Sequence, residues 1–193
     1  MTAPDYDVVV IGGGIHGVGV AQAAAAAGYS VLLLERQALG SGTSSRSSKL
    51  IHGGLRYLES ARFGLVRESL REREILLRNA PELVRRVPFC IPVYSSTHRP
   101  PWMIRAGLSL YALLGGLSRD TRFESVPRAR WENLDGLDTR NLLAVFRYED
   151  AQTDDALLTQ AVMRSAQTLS AELRCPANFL SAIRGETGYR VHY

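Results

Sequence analysis

The sequence predicts an α/β protein whose first unit is Rossmann-like, and three features near the start of the chain support this fold class. The β-branched, apolar run Val8–Ile11 is typical of a strand that is buried on both faces. Gly12, Gly14 and Gly17 follow it in the spacing G-x-G-x-x-G. An alanine-rich helix then leads to a second apolar strand, Val31–Leu34. Strand, glycine turn, helix and strand in this order predict a dinucleotide-binding unit.

The glycine turn and the acidic residue after the second strand predict how a dinucleotide is held. The three glycines permit a tight turn, a close approach of the backbone to a pyrophosphate, and close packing of the helix on the strand. The N–H groups and the positive dipole end of the helix start face that phosphate, and the helix is expected from Val18 to Ala27. Glu35, with Arg36 beside it, lies at roughly the 20-residue spacing at which a carboxylate binds the adenosine ribose. FAD or NAD therefore fits, and NADP fits poorly.

The composition is that of an ordinary globular chain. It has 193 residues, 46% of them hydrophobic and 22% charged. The formal net charge of +4 comes from scattered basic residues, so we predict no nucleic-acid binding. Cys90 and Cys175 are far apart, which favours a reducing compartment and predicts no metal site. We see no secretory signal, and no apolar run approaches the roughly 18 residues of a membrane span.

A loop rich in glycine and hydroxyl residues follows Glu35 and runs into Lys-Leu-Ile-His-Gly-Gly at 49–54. It is either a flexible surface loop or a source of further phosphate and ribitol contacts from its hydroxyls. Gly53 and Gly54 would let the backbone approach a flat ring closely. Of the 23 lysine and arginine residues, Lys49 is the one lysine. A lysine kept in so arginine-rich a chain indicates that this position requires a compact ammonium group and not a guanidinium.

The segment 43–58, with Ser-Ser-Lys-Leu-Ile-His-Gly-Gly at its centre, resembles the FAD-dependent glycerol-3-phosphate dehydrogenase family. The triple-glycine turn, the segment 99–105 (RPPWMIR) and the Asp-Asp-Ala at 154–156 resemble it too. His16 stands where the family usually has asparagine, and Leu157 where it often has arginine. Family members are far longer, so we expect this chain to be an N-terminal piece.

The resemblance implies a Rossmann-like FAD-binding domain (N-terminal part) with part of a substrate or cap domain. We expect 1–58 to be the first segment of the FAD-binding domain, 59–145 the substrate or cap region, and 146–193 the return to the FAD-binding domain. The residues expected to contact FAD are Gly12, Gly14, Ile15, His16, Gly17, Glu35, Arg36, Thr43, Ser44, Ser48, Lys49, Leu50, His52 and Gly53.

By the same resemblance, 49–54 lies along the flavin, and Arg56 and Tyr57 face the substrate. The planar guanidinium of Arg56 also suits a phosphate bidentately. His52 is expected to contact the flavin, with a base or a packed ring as the other readings. No catalytic residue is assigned, because the family's base and its further phosphate-binding cations come from later sequence.

The implied activity is oxidation of sn-glycerol 3-phosphate to dihydroxyacetone phosphate by hydride transfer to FAD, with electrons passed to a quinone. The alternatives are a glycerophosphate oxidase that uses oxygen, an NAD-dependent dehydrogenase, which the 43–58 segment disfavours, and a non-catalytic FAD-binding module. The family also implies a cytoplasmic enzyme, peripheral on the inner face of the cell membrane; a homodimer stays open. We expect the 193-residue chain alone to have little turnover and poor FAD retention.

The remaining elements are predicted from periodicity and turn residues. A helix over 60–79 should bury Phe63, Val66, Leu70 and Leu77. Its arginines, among them Arg73, are expected on a solvated face, with contact to a membrane or a partner as the alternative. An apolar helix over 102–117 is either a core helix or a helix in the membrane interface. The other predictions are strands at 89–94 (interrupted at Pro92), 144–148 and 172–175, a helix over 156–169 capped by Asp154 or Asp155, and a hairpin of 179–183 with 189–192.

Overall fold

The structure, a computed structural model, describes residues 5–117, 121–134 and 136–193. The chain forms two compact units, one made of Met1–Lys49 with Asp154–Tyr193 and the other of Leu50–Thr153. In chain order the elements are β1 (Val8–Ile11), α1 (Ile15–Ala26), β2 (Val31–Leu34), β3 (Leu50–Ile51), α2 (Phe63–Asn79), β4 (Val84–Tyr94), α3 (Pro101–Leu114), β5 (Phe123–Ser125), β6 (Leu142–Thr153), α4 (Asp155–Thr168), β7 (Glu172–Arg174), β8 (Ser181–Arg184) and β9 (Tyr189–His192).

The first unit contains a parallel sheet in the order β1-β2-β7, which confirms the predicted α/β fold class. Its register pairs Val8 with Val31 and Leu33 with Leu173. All four residues of β2 are buried, as expected for a central strand covered on both faces. Helices α1 and α4 pack together beside this sheet around a core that contains Val10, Val18, Ala21, Ala25, Val31, Leu33, Met163 and Ala166.

The two helices of this unit begin and end where local chemistry requires. Helix α1 starts at Ile15, earlier than the predicted first turn, and Gly28 follows it with φ +89°. Helix α4 is capped by Asp154, whose Oδ1 accepts the N–H groups of Ala156 (2.9 Å) and Leu157 (3.0 Å). Of the two capping alternatives, Asp154 is therefore the cap. Strands β8 and β9 form the predicted hairpin.

The second unit is built on an antiparallel sheet in the order β3-β6-β4, with β5 also paired to β6. Strands β4 and β6 pair from Val84 opposite Thr153 to Tyr94 opposite Leu142, so both are longer than predicted. The predicted interruption at Pro92 is wrong, because β4 continues through it. In the described sheet β4 is an edge strand, where a proline without an N–H group is tolerated.

The unit boundaries lie after Lys49 and before Asp154, whereas the sequence placed them near 58 and 145. Strand β3 pairs with β6, which brings 50–58 into the second unit. Strand β6 is continuous to Thr153 and paired with β4 along its length, which brings 146–153 there too. The assignment of the units to cofactor and substrate stays a prediction.

Helices α2 and α3 each bury one face in the second unit. Val66 and Leu70 of α2 are buried as predicted, whereas Phe63 is 43% exposed. The prediction of a solvated Arg73 is wrong, since its side chain is 1% exposed, for the reason given below. Helix α3 buries Leu108, Tyr111 and Ala112, and its outer face exposes Trp102, Met103 and Leu113. Among the described helices, none is long and apolar enough to span a bilayer.

Candidate functional site

A cavity of about 580 Å³ opens in the first unit. It lies where β1 and β2 end and the chain turns into the segments that follow, which is where ligands bind in open α/β sheets. The residues that line it are Gly14, Ile15, His16, Glu35, Arg36, Gln37, Gly40, Ser41, Gly42, Thr43, Ser47, Asp155 and Leu158. Six of the predicted FAD contacts therefore share one cavity: Gly14, Ile15, His16, Glu35, Arg36 and Thr43.

The glycine turn is sterically closed to side chains at two positions. A Cβ on Gly17 would overlap the carbonyl oxygen of Gly12, which itself has φ +100°. A Cβ on Gly13 would lie 2.6 Å from Cδ2 of Leu39 and 3.1 Å from Cβ of Glu35. Gly13 is outside the predicted set, although the run of three glycines was the available signal. The turn thus brings backbone, without side chains, to the edge of the cavity.

Helix α1 presents its N-terminus to the cavity. Gly14 is the N-cap, Ile15 and His16 line the wall, and Val18 N–H donates to the Gly14 carbonyl at 3.0 Å. In the described structure no side chain caps this helix, and its first turn contains no acidic residue. A helix start of this kind favours an anion, since the positive end of the dipole and the first amides point at it.

Glu35 is buried and held by two backbone donors. Its Oε2 accepts the N–H of Gly13 and its Oε1 the N–H of Gln37, both at 2.7 Å. Each carboxylate oxygen has room for a second hydrogen bond. The side chain is therefore fixed at the cavity wall while it can still accept bonds from ribose hydroxyls. The sequence predicted the second role and missed the first.

The segment 36–49 forms another part of the wall, with Ser41, Gly42, Thr43 and Ser47 on it. It is held to the glycine turn by the N–H of Gly40, which donates to the Gly13 carbonyl at 2.9 Å. Of the predicted contacts here, Ser48 is exposed and does not line the cavity. Ser44 belongs to the short Thr43–Arg46 turn, and its side chain is outside the described part.

Lys49 and Ser47 meet Asp155 at the start of α4. Ser47 Oγ donates to Asp155 Oδ2 at 2.6 Å, and Lys49 Nζ lies 3.1 Å from the same oxygen. Ser47 Oγ in turn accepts the backbone N–H of Lys49 at 2.9 Å. The sequence indicated Asp155 only as an alternative cap and as part of the Asp-Asp-Ala segment, because nothing in the local pattern reveals a partner more than a hundred residues away.

The other predicted contacts belong to the second unit. Leu50 pairs with Gln152 in β3 and β6, and His52 is exposed. Gly53 is buried, its N–H donates to Asp150 Oδ1 at 3.2 Å, and a Cβ there would overlap the Tyr111 hydroxyl. The segment that includes Gly53 is therefore shaped by side chains that the sequence analysis did not select.

Asp150 also binds Arg73, in a buried ion pair. Arg73 Nη1 lies 2.8 Å from Asp150 Oδ1, and the two side chains are 1% and 3% exposed. Glu74 adds a second contact, 3.2 Å from Arg73 Nη2. Burial raises the pKa of Asp150 above its ordinary value, against the lowering effect of Arg73 and of the Gly53 N–H. Burial and the charge of Asp150 hold the pKa of Tyr111 well above its usual range.

Arg56 and Tyr57, the predicted substrate contacts, interact with each other. Arg56 Nη2 donates to the Tyr57 hydroxyl at 3.2 Å, and the guanidinium lies 5.1 Å from the centre of the ring. The hydrogen bond to Tyr57 raises the pKa of Arg56, which keeps the side chain charged. Arg56 is exposed, so its remaining donors can meet a phosphate.

Comparison with known proteins identifies the family of this chain. Residues 7–192 match the family described as FAD dependent oxidoreductase. The chain belongs to this family. The predicted resemblance, the fold class and the FAD cofactor are thereby confirmed at the level of the family. In the described ranges, no group of histidine, cysteine and acidic side chains could hold a metal ion.

Several curated relatives are similar over nearly the whole chain. A glycerol-3-phosphate dehydrogenase of Pseudomonas aeruginosa is 44% identical over 97% of this chain and 36% of its own length. One from Mycobacterium leprae is 45% identical over 93% of this chain and 31% of its own. A D-erythritol 1-phosphate dehydrogenase of Brucella abortus is 43% identical over 96% of this chain and 36% of its own. The chain thus spans about a third of the length of these relatives.

Solved structures agree on the fold. The FAD complex of glycerol-3-phosphate dehydrogenase from Bacillus halodurans has a TM-score of 0.66 and 26% identity, over 98% of this chain and 30% of that one. The L-alpha-glycerophosphate oxidase of Mycoplasma pneumoniae, with FAD bound, has a TM-score of 0.67 and 18% identity, over 96% of this chain and 49% of that one. At that identity the second likeness concerns the fold alone.

Proposed function

We propose that the protein containing this chain oxidises sn-glycerol 3-phosphate to dihydroxyacetone phosphate with FAD as its cofactor. The observation that carries the proposal is the cavity that the glycine turn, the start of α1 and Glu35 form at the ends of two parallel strands. Relatives 44–45% identical to this chain carry the name glycerol-3-phosphate dehydrogenase, which supports the choice of substrate.

The residues around the cavity fit the adenosine and pyrophosphate parts of FAD. The start of α1 would face the pyrophosphate, because the glycine turn leaves no side chain between it and the backbone. Glu35, fixed by Gly13 and Gln37, would accept the ribose hydroxyls. When bound, FAD supplies the acceptor for the hydride of the alcohol. The chain's own task at this end is to fix the cofactor and to keep its ribose in one orientation.

Substrate binding is proposed for the second unit, through Arg56 and Tyr57. The Tyr57 hydroxyl and ring hold the guanidinium of Arg56, so its planar fork is oriented before a phosphate arrives. Pre-orientation lowers the entropy lost on binding. The base that removes the hydroxyl proton is not assigned to this chain.

Quinone is the proposed electron acceptor, with the protein peripheral on the inner face of the membrane. The exposed apolar side chains of α3, among them Trp102 at 68% exposure, support contact with a lipid surface. Oxygen is the alternative acceptor, in line with the fold shared with a glycerophosphate oxidase. Anaerobic reduction of the purified protein by substrate, followed by a soluble quinone or by oxygen, separates them. Reoxidation by oxygen alone would refute the quinone-linked reading.

Another polyol phosphate is the second candidate substrate, because the D-erythritol 1-phosphate dehydrogenase is as similar to this chain as the glycerol-3-phosphate dehydrogenases are. Comparing kcat/KM for the two phosphates decides between them. A protein that binds FAD and is reduced by neither would instead be the non-catalytic module.

Arg56→Met tests the phosphate contact, with Arg67→Met as the matched control on the exposed face of α2. Loss of a charge-assisted contact should raise KM about 10-fold or more with a smaller change in kcat. The control should leave both constants unchanged. An unchanged KM in Arg56→Met would remove Arg56 from the site.

A further inference from the structure

We propose that Asp155 is a positioning residue of the FAD cavity, which ties the segment 40–49 to the start of α4 and so shapes the cavity wall. This proposal rests on the proposed function only in taking FAD as the ligand of that cavity. It concerns the part of the wall that includes Ser41, Gly42, Thr43 and Ser47.

The tie is a set of short polar contacts on one carboxylate oxygen. Asp155 Oδ2 accepts from Ser47 Oγ at 2.6 Å and lies 3.1 Å from Lys49 Nζ. Ser47 Oγ also accepts the Lys49 N–H at 2.9 Å, so each of the three residues contacts the other two. The side chains of Lys49 and Asp155 are 33% and 21% exposed, which leaves the contacts only partly open to water.

The backbone of Lys49 shows that the segment is held rather than relaxed. Lys49 has φ +63°, in the left-handed region that residues other than glycine, asparagine and aspartate rarely adopt. Such a conformation persists only where the surroundings fix it, and it concentrates at ligand sites. Among the contacts that fix it here are those of its own N–H and ammonium with Ser47 and Asp155.

The other end of the same segment is held independently. Gly40, with φ +71°, donates its N–H to Gly13, and a Cβ on Gly40 would lie 3.3 Å from Cα of Ala156. The segment is thus packed against the start of α4 at Gly40 and bound to it again through Asp155. Loss of the second attachment would free the residues between them, which form the wall.

The charges explain why the tie needs both partners. Glu35 and Asp155 place two carboxylates on a cavity that is to accept a pyrophosphate. Contact with Lys49 compensates the charge of Asp155. Removal of Lys49 would expose the pyrophosphate to an uncompensated carboxylate, whereas removal of both charges would relieve that repulsion. Lys49→Met and Asp155→Asn are therefore expected to be non-additive.

The test is Asp155→Asn in the purified protein that contains this chain, with Asp154→Asn as the matched control. The two variants make the same charge change at adjacent positions, and Asn caps a helix as well as Asp does. We expect Asp155→Asn to weaken FAD binding about 10-fold, the size of a lost charge-assisted contact, and Asp154→Asn to change it less than about 2-fold.

A second readout separates positioning from general loss of fold. Arg46 is exposed beside the tie, so the rate of tryptic cleavage after it reports the order of the segment. Asp155→Asn should speed this cleavage in the FAD-free protein while its melting temperature stays close to that of Asp154→Asn. Lys49→Met/Asp155→Asn should bind FAD more tightly than Lys49→Met alone.

The outcomes distinguish this inference from the proposed function. Equal FAD affinity in the parent protein and Asp155→Asn, or equal weakening by both Asp→Asn variants, would overturn the positioning role. Additive losses in the double variant would overturn the charge argument. Failure of the parent protein itself to bind FAD would refute the proposed function instead.

Discussion

Asp150→Ala should strongly destabilise the second unit, because it leaves Arg73 charged and buried. Arg73 is 1% exposed and loses its 2.8 Å partner. The N–H of Gly53 loses its acceptor at the same time. Removing one partner of a buried pair costs about 3–5 kcal/mol. Glu74 remains 3.2 Å from Arg73, which places the expected loss near the lower end, about 3 kcal/mol.

The size of this loss can be judged against a surface pair of the same length. Asp138 and Arg140 also lie 2.8 Å apart, but their side chains are 52% and 86% exposed. Asp138→Ala should leave stability nearly unchanged, because water replaces the lost partner. Arg73→Met/Asp150→Leu should recover most of the loss of Asp150→Ala, because no charge then stays buried.

Urea unfolding followed by circular dichroism measures all of these free energies on the purified protein. Since a domain is stable by about 5–15 kcal/mol, a loss of about 3 kcal/mol moves the midpoint clearly. The reasoning is refuted if Asp150→Ala costs no more than Asp138→Ala. It is also refuted if the apolar double variant is less stable than Asp150→Ala alone, since the cost would then lie in packing and not in an unpaired charge.

Two further changes test the first unit. Glu35→Gln should weaken FAD binding and cost about 1–3 kcal/mol of stability, because an amide has one oxygen for two backbone donors and leaves one N–H unpaired; titration with FAD and urea unfolding measure the two effects, and unchanged affinity would count against a ribose contact. Asp154→Asn should remove one source of acid sensitivity, because the hydrogen bond from Leu157 N–H lowers the pKa of Asp154. The ionised carboxylate therefore stabilises the fold fully above the ordinary pKa of about 3.9, and this stabilisation is lost as pH falls through the lowered pKa. Between pH 5 and pH 2 the free energy of unfolding should therefore fall less steeply for the variant than for the parent protein, and an equal pH dependence of the two would contradict this.

The elements that were predicted well are those whose cause is local. Strands β1 and β2 have the predicted bounds because each is an apolar run with a polar residue or a glycine at either end. The glycine turn was predicted because the spacing of its glycines follows directly from the positions where the backbone leaves no room for a side chain. The start of α1 was predicted too late, since a glycine inside a helix looks unfavourable by propensity, whereas Gly17 is needed there to clear Gly12.

The elements that were missed depend on partners distant in sequence. Arg73 fits a solvated face by its helical position, and only the folded chain brings it to its partner Asp150 in β6. Asp155 resembles its neighbour Asp154 in sequence, and only the return of α4 to the 36–49 segment separates a cap from a tie. Pro92 would interrupt a central strand but is tolerated in an edge strand. Whether β4 lies at the edge depends on how the whole sheet is assembled, which the local sequence does not show.

The two glycine segments are stabilised by the same device, and this explains why acidic residues outside the motifs matter. A glycine backbone has many accessible conformations, so its shape must be fixed by partners outside it. In the first unit the N–H of Gly13 donates to Glu35, and in the second the N–H of Gly53 donates to Asp150. Each carboxylate is buried and comes from a different strand or strand end. A carboxylate accepts such bonds strongly because it is charged. Replacing either acid should therefore disturb a glycine segment directly, even where the substituted side chain touches no ligand.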